Sequence, residues 1–165
     1  MKLKRILKHL FTTHRQVRQA FPRTTLLAIE KAIAESEAAH LGEIQFAVEG
    51  ALDGAPLLRG QSSRERALEV FSQRRVWDTE ENNGLLIYLL LADRAVEIVA
   101  DRGIHAKVNS HEWNKVCRHM ETAFKHADYE GGAIGGIQAM TQHLTAHFPA
   151  VRESGKELSN RPVLL

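Results

Sequence analysis

An unbroken apolar run, LLIYLLL at residues 85–91, is entered from a polar cluster formed by Asp78, Glu80, Glu81, Asn82, Asn83 and Gly84. Apolar residues of that number between turn formers predict a strand buried on both faces. A polar break at Asp93-Arg94 follows, and residues 95–99 are β-branched and roughly alternating. The pattern predicts a β-hairpin. With Asp93 and Arg94 as the loop, Leu86 faces Asp101 and Gly84 faces Gly103. Asn82, Asn83, Asp101 and Arg102 then share one edge of a sheet.

Elsewhere the spacing is helical. Leu3, Ile6, Leu7, Leu10 and Phe11 recur every three or four residues, with Val17 and Phe21 extending the stripe and Lys2, Lys4, Arg5 and Lys8 opposite. This predicts an amphipathic N-terminal helix over residues 1–21. Pro22 with Thr24 or Thr25 starts a second helix that runs to residue 39. Residues 43–49 alternate through Ile44, Phe46 and Val48 as a half-buried strand. Residues 50–60 read as a loop. Ser62 or Ser63, with Glu65, caps a third helix carrying Ala67, Leu68, Phe71 and Val76 inward. Two more helices are predicted after the hairpin, over residues 110–127 and 130–148, and residues 150–165 form an extended tail.

A strand, a crossover helix and a strand imply parallel pairing. Adding the hairpin gives a small mixed sheet between helices, a three-layer α/β/α sandwich over residues 22–149. The parallel pairing places Gly42 and Glu43 beside Asn82 and Asn83. Glu37, Glu43, Asp78, Asn82, Asn83 and Asp101 are thereby candidates for one polar edge.

With 165 residues, 44% hydrophobic and 25% charged, the chain has the composition of a single soluble globular domain. A lone cysteine, Cys117, excludes an internal disulfide and fits a reducing compartment. No apolar run reaches the ~18–20 residues of a membrane span, and the N-terminus lacks the features of a signal peptide. The expectation is a cytoplasmic protein. Charge changes the picture in one respect. Residues 1–23 carry seven Lys or Arg and no Asp or Glu, leaving 15 basic and 20 acidic residues elsewhere. The basic helix reads either as a segment docked on the body or as a surface for a membrane or an anionic partner. Nucleic acid is not expected as a partner, because the arm has no aromatic interleaving and the body is acidic.

Carboxylates clustered with carboxamide oxygens suit a hard cation such as Ca²⁺ or Mg²⁺, although no fixed ligand spacing is present. The plainer account of the same residues is a solvated acidic rim, with Asn83-Gly84 serving as a turn. A rival location is the opposite rim, at Glu49, Gly50, Asp53, Gly54, Asp93 and Arg94, where parallel strands end. His143 and His147 have helical ligand spacing but no third ligand. The glycines at 131–136 follow a helix, not a strand, and lack the Gly-Lys-Ser/Thr of a phosphate loop, so they read as helix-packing positions. Cys117 lies on an apolar stripe without the arginine of a cysteine-phosphatase loop, and no serine sits in a nucleophile elbow.

The segment Asn82-Asn83-Gly84 before LLIYLLL, the helix pattern around Ala67 and Phe71, and the late Phe124…Asp128-Tyr129-Glu130-Gly131-Gly132 resemble the TPM domain family. That family is named after thylakoid-lumen, photosystem-repair and receptor-modulator proteins. The resemblance covers roughly residues 25–145 and points to a cytosolic bacterial branch. It implies an α/β/α sandwich, divalent-cation binding and, in plant members, acid phosphatase activity. Two positions depart from the family pattern. Asn82 replaces the aspartate of Asp-Asn-Gly, and Asp101-Arg102-Gly103 replaces a glycine-aromatic-glycine.

The sequence thus predicts a non-catalytic binding or assembly module with an unidentified protein partner. Its expected ligands to Ca²⁺ or Mg²⁺ are Glu37, Glu43, Asp78, Asn82, Asn83 and Asp101, with Arg102 as an anion contact. Two alternatives accompany it: a metal-dependent phosphatase at the same edge, and an adaptor that docks on a membrane or membrane protein through the basic helix.

Overall fold

Alternate residues of the strands supply two separate cores. In the computed structural model, which describes residues 2–150 and 155–165, Ile44, Phe46, Val48, Leu85, Ile87, Leu89, Val96 and Ile98 point to one face of a sheet. Ala47, Leu86, Tyr88, Leu90 and Val99 point to the other. A strand with both faces covered favours apolar residues at nearly every position, which accounts for the unbroken run at 85–91. The strand at 43–49, expected to be half-buried, is also covered on both faces, and it buries Glu43 and Gln45 near one end.

The sheet has the order β3-β2-β1-β4. Strand β1 (Glu43–Glu49) pairs parallel with β2 (Gly84–Leu90), and β2 pairs antiparallel with β3 (Ala95–Ala100). The first face is covered by α3 (Arg23–Glu37), α7 (Ser110–Lys125) and α8 (Tyr129–His147). The second is covered by α4 (Gly54–Arg59) and α5 (Ser63–Gln73), which lie in the crossover between β1 and β2. The α/β/α arrangement therefore matches the reading of the sequence. Helix α5 starts at the expected capping box, with Ser62 and Glu65 bonded to each other's backbone. Gly132 and Gly136 let α8 approach α7, since a Cβ at these positions would run into Phe124 and Met120.

Four local expectations need correction. The hairpin pairs Leu86 with Val99, not with Asp101, and Leu90 with Ala95. Its loop is residues 91–94, closed by the Arg94 amide on the Leu91 carbonyl at 3.0 Å, with Arg94 at φ 51°. A slip of two preserves the face of every side chain, so the hydrophobic pattern alone could not exclude it. The N-terminal stripe is broken into α1 (Lys2–Phe11) and α2 (His14–Ala20), because Thr13 forms a capping box with Gln16. The loop at 50–60 contains α4. A four-residue helix, α6 (Arg102–His105), follows β3 with Asp101 as its N-cap.

The C-terminal residues add an unpredicted strand. β4 (Val163–Leu164) pairs parallel with β1, and residues 151–154 of the predicted tail lie outside the described residues. This protects the edge of β1, which would otherwise present unpaired backbone groups.

One polar chain is buried between α3 and α8. Thr141 donates to the Ile137 carbonyl at 2.8 Å, and its Oγ1 lies 2.6 Å from Ser36 Oγ, which lies 2.7 Å from His40 Nε2. His40 Nδ1 accepts from the Gly42 amide at 3.1 Å, so the ring is neutral with its proton on Nε2. Burial pushes the His40 pKa down to about 4. A depressed pKa contributes stability above the unfolded value near 6.5 that is lost as pH falls toward 4. Glu37, raised by burial to about 7, acts in the opposite sense: its contribution is complete below about 4.5 and is lost as pH rises through 7. The two oppose each other between pH 4.5 and 6.5. With chelator present, Glu37→Gln should lose on the order of 2 kcal/mol more than wild type on acidification over that range, while His40→Gln should lose stability on alkalinisation. Melting temperatures of the three proteins against pH test this; parallel curves would refute it.

Candidate functional site

The polar edge forms where β1 and β2 begin and β3 ends, with Glu43 opposite Gly84. The Glu43 amide donates to the Asn83 carbonyl at 3.0 Å, and the Asp101 amide donates to the Gly84 carbonyl at 2.8 Å. Three sequence segments are thus tied into one rim by backbone bonds. Gly84 is required there: a Cβ would collide with the carbonyl oxygen of Val76, at the end of the α5 connection. Gly103 is also held closely, 2.5 Å separating its would-be Cβ from the Asn82 carbonyl oxygen.

Glu43, Asn83 and Asp101 are buried members of the rim. The Asn83 side-chain amide donates to the Leu41 carbonyl, and its backbone amide donates to Thr79 Oγ1 at 3.1 Å. Asp101 Oδ1 accepts from the Arg102 amide at 2.7 Å. What remains is Asn83 Oδ1 and Asp101 Oδ2, both buried with no hydrogen-bond partner among the described residues. Buried oxygens of this kind are rare in folded proteins and call for a donor, a water or a cation. Asn82 is in the left-handed region at φ 52°, and its Oδ1 accepts from Arg102 Nε at 2.7 Å. Arg102, expected as an anion contact, is thus engaged with a carboxamide.

The remaining predicted ligands are placed differently. Glu37 Oε1 accepts from the Ile44 amide at 2.8 Å and is hydrogen-bonded by Asn160. Glu43 accepts from the Leu158 amide at 3.0 Å, and burial raises its pKa. Both carboxyls therefore lie beneath the C-terminal segment, which is fixed further by Glu157 accepting from the Glu80 amide at 2.9 Å. Asp78 is half-exposed and pairs with Arg75 at 2.8 Å. Among the described residues, no three of His, Cys, Asp and Glu converge as a preformed metal centre would require. Of the predicted six, Asn83 and Asp101 each keep a buried oxygen without a hydrogen-bond partner among the described residues, one a carboxamide and one a carboxylate oxygen. Hard-oxygen donors with water in the shell suit Mg²⁺ or Ca²⁺.

At the rival rim, Glu49 and Asp93 are already committed. Glu49 accepts from Arg66 Nε and Nη2, at 2.8 and 3.0 Å, and from the Tyr88 hydroxyl. Asp93 accepts from Arg5 at 2.8 Å and from His9 at 3.1 Å. Burial alone would raise the Asp93 pKa, but these two partners more than offset it and hold the carboxyl below its usual range. His143 stands edge-on to Trp113 and near Glu112, with no third ligand among the described residues. The Cys117 thiol is buried and pushed up to about 12, which removes thiolate chemistry.

A mixed four-stranded sheet between helical layers, with a glycine-tight polar rim preceding its central strand, defines an α/β/α domain of a particular kind. The chain belongs to the TPM domain family, whose pattern matches residues 16–143. Its fold is similar to that of the BA42 protein from the psychrophilic bacterium Bizionia argentinensis, with 26% identity, a TM-score of 0.75, and 86% of this chain and 92% of that one covered. The N-terminal domain of a protein from P. gingivalis shares the fold at 18% identity and TM-score 0.59, covering 75% of this chain and 76% of that one. So does the N-terminal domain of a Corynebacterium glutamicum protein, at 12% identity and TM-score 0.55, with 82% of each chain covered. No protein of curated function matches the sequence. No described helix is long and apolar enough to cross a membrane.

Proposed function

We propose that this TPM-domain protein is a cytoplasmic, non-catalytic binding and assembly module that takes Ca²⁺ or Mg²⁺ at the rim before β2 and presents that rim to a protein partner. The observation that carries the reading is the pair of buried oxygens unpartnered among the described residues, Asn83 Oδ1 and Asp101 Oδ2, on neighbouring strand ends. Asp101 supplies the charge and Asn83 a neutral oxygen. The carboxamide of Asn82 steers Arg102 away from the cation, which a free guanidinium would repel. Glu37 and Glu43 belong to the support of the rim through the C-terminal segment.

The cation, when bound, supplies positive charge that links the strand ends. The residues of the chain then do the rest: Gly84 and Gly103 set the spacing, and the Asp101 backbone holds β3 to β2. Titration of ¹⁵N-labelled, chelator-treated protein should give saturable amide shifts centred on Asn82, Asn83, Gly84, Asp101, Arg102 and Gly103. Asp101→Asn preserves the helix cap, because its side-chain oxygen still accepts from Arg102, yet should weaken binding roughly tenfold or more by removing the charged ligand. Absence of shifts at millimolar metal would end the reading. Metal-dependent hydrolysis of a phosphate ester, lost in Asp101→Asn, would replace the module with a phosphatase.

A further inference from the structure

An amphipathic helix on a globular body buries its apolar stripe. Helix α1 does the reverse. Arg5 forks onto Asp93 through Nε at 2.9 Å and Nη2 at 2.8 Å. His9, buried at 3% exposure, accepts from the Leu52 amide through Nδ1 at 2.9 Å and meets Asp93 through Nε2 at 3.1 Å. Its Nδ1 being an acceptor, the ring donates to Asp93 from Nε2. Among the described apolar residues of α1, only Ile6 packs against a core cluster. Leu3, Leu7, Leu10 and Phe11 are left 69%, 44%, 69% and 73% exposed. The helix is clamped by its polar side and shows its apolar side to solvent.

That apolar stripe is bordered by cations. Lys4 and Lys8 are exposed, as are Arg15, Arg18 and Arg23 in the following segment, and residues 1–23 contain no acid. Beside the C-terminal end of α1 an open groove of about 850 Å³ is lined by Lys8, Phe11, Arg94 and Tyr129, among others. Asp128 accepts there from the Gly131 amide and Glu130 from the Thr25 hydroxyl, neutral donors that leave both carboxylates charged, so the groove itself carries both signs. The excess of cations belongs to α1 and the segment after it, where Lys8, like Lys4, makes no ion pair among the described residues.

We propose that α1 seats the protein on the surface of an anionic phospholipid bilayer. Leu3, Leu7, Leu10 and Phe11 enter the boundary between headgroups and acyl chains, while Lys4, Lys8 and Arg94 meet lipid phosphates. An apolar stripe and a cationic border are the two signals that together hold a short helix at such a surface. The all-basic charge selects an anionic sheet over a second copy of this chain, whose matching helix would be equally basic. Because Arg5 and His9 already hold α1 to the body, the surface is available without any unfolding.

The test is co-sedimentation of the full chain with extruded vesicles, in chelator so that the result does not depend on the cation at the rim. Vesicles of 70:30 phosphatidylcholine:phosphatidylglycerol should bind at least roughly tenfold more tightly than pure phosphatidylcholine. Leu3→Ser with Leu10→Ser, and separately Lys4→Glu with Lys8→Glu, should each lower that binding roughly tenfold or more, and salt should weaken it. These side chains are exposed, and an unchanged melting temperature would establish that both variants are folded. Equal binding to both vesicle types, no binding to either, or variants that bind like wild type would overturn the proposal. So would a dimer in sedimentation equilibrium that Leu10→Ser dissolves, since the stripe would then belong to a second copy.

Discussion

Gly84→Ala should cost about 4 kcal/mol, lowering the melting temperature by roughly 8–16 °C in a chain of this size. The cause is not backbone freedom, because Gly84 is an ordinary extended residue at the start of β2. An added Cβ would instead strike the carbonyl oxygen of Val76, with the carbonyl carbon 3.0 Å away and Val76 Cγ1 at 3.2 Å. Backbone cannot swing aside as a side-chain tip can. Val76 is itself fully buried in the second core, so neither partner has room to yield. The methyl must push the first residue of β2 away from the α5 connection. That movement pulls on the Gly84 carbonyl, which holds Asp101, and on the Asn83 backbone, which holds Glu43. Loss of stability and distortion of the rim should therefore arrive together, as a lower melting temperature and displaced amide signals at Asp101 and Glu43. Gly155→Ala, where nothing lies within 4 Å of the added carbon, is the matched control and should be within ~0.5 kcal/mol of wild type. If Gly84→Ala melts with the control, the close approach of β2 to Val76 is wrong.

The same rim shows which information a sequence carries openly. The strand at 85–91 was legible because burial on both faces favours apolar residues nearly throughout, and the start of α5 was legible because a capping box is a local signal. The helices α7 and α8 were legible within a residue or two from their spacing. The register of the hairpin was not, because a shift of two leaves the pattern of inward and outward side chains intact. Helix α6 and strand β4 were hidden by length: four residues and two residues leave no period to detect. Gathering polar residues at one edge was inferable from topology, since parallel β1 and β2 begin together. Their partners were not. Asp78 turns to Arg75, whereas Glu43 turns to the Leu158 backbone more than a hundred residues along the chain.

Helix α1 marks the limit of amphipathic reasoning more sharply. Its stripe is one of the clearest periodic signals in the sequence, and the ordinary inference would bury it. A single acid in the hairpin loop, Asp93, gathers Arg5 and His9 and turns the helix over. Long-range pairing of this kind depends on where the loop lies after folding, so no local window contains it. The rim proposed to take a cation lies where the parallel strands begin, and the helix proposed to meet a bilayer lies where they end. Binding at one would leave the other free.

Glu49→Ala should be the most destabilising change among the charged residues, at about 3–5 kcal/mol. Glu49 ends β1 and accepts from Arg66 twice, through Nε at 2.8 Å and Nη2 at 3.0 Å, and from the Tyr88 hydroxyl at 2.5 Å. Tyr88 is fully buried, and burial followed by its bond to Glu49 drives its pKa upward, so the phenol stays protonated and donates. Truncating the carboxylate leaves a buried hydroxyl without an acceptor and a largely covered guanidinium with only Glu69, at 3.1 Å, to compensate it. The penalty comes from those stranded partners more than from the lost attraction. Glu49→Gln keeps an oxygen for Tyr88 and should therefore lose only about half as much. Removing all three polar groups together, as Glu49→Leu, Arg66→Met and Tyr88→Phe, should recover most of the loss, because no donor is then left without an acceptor. Urea unfolding of the single variants and the triple variant separates the accounts. Costs that simply add, with the triple variant the least stable of all, would mean that the three residues act independently and that Glu49 does not hold Arg66 and Tyr88 as a unit.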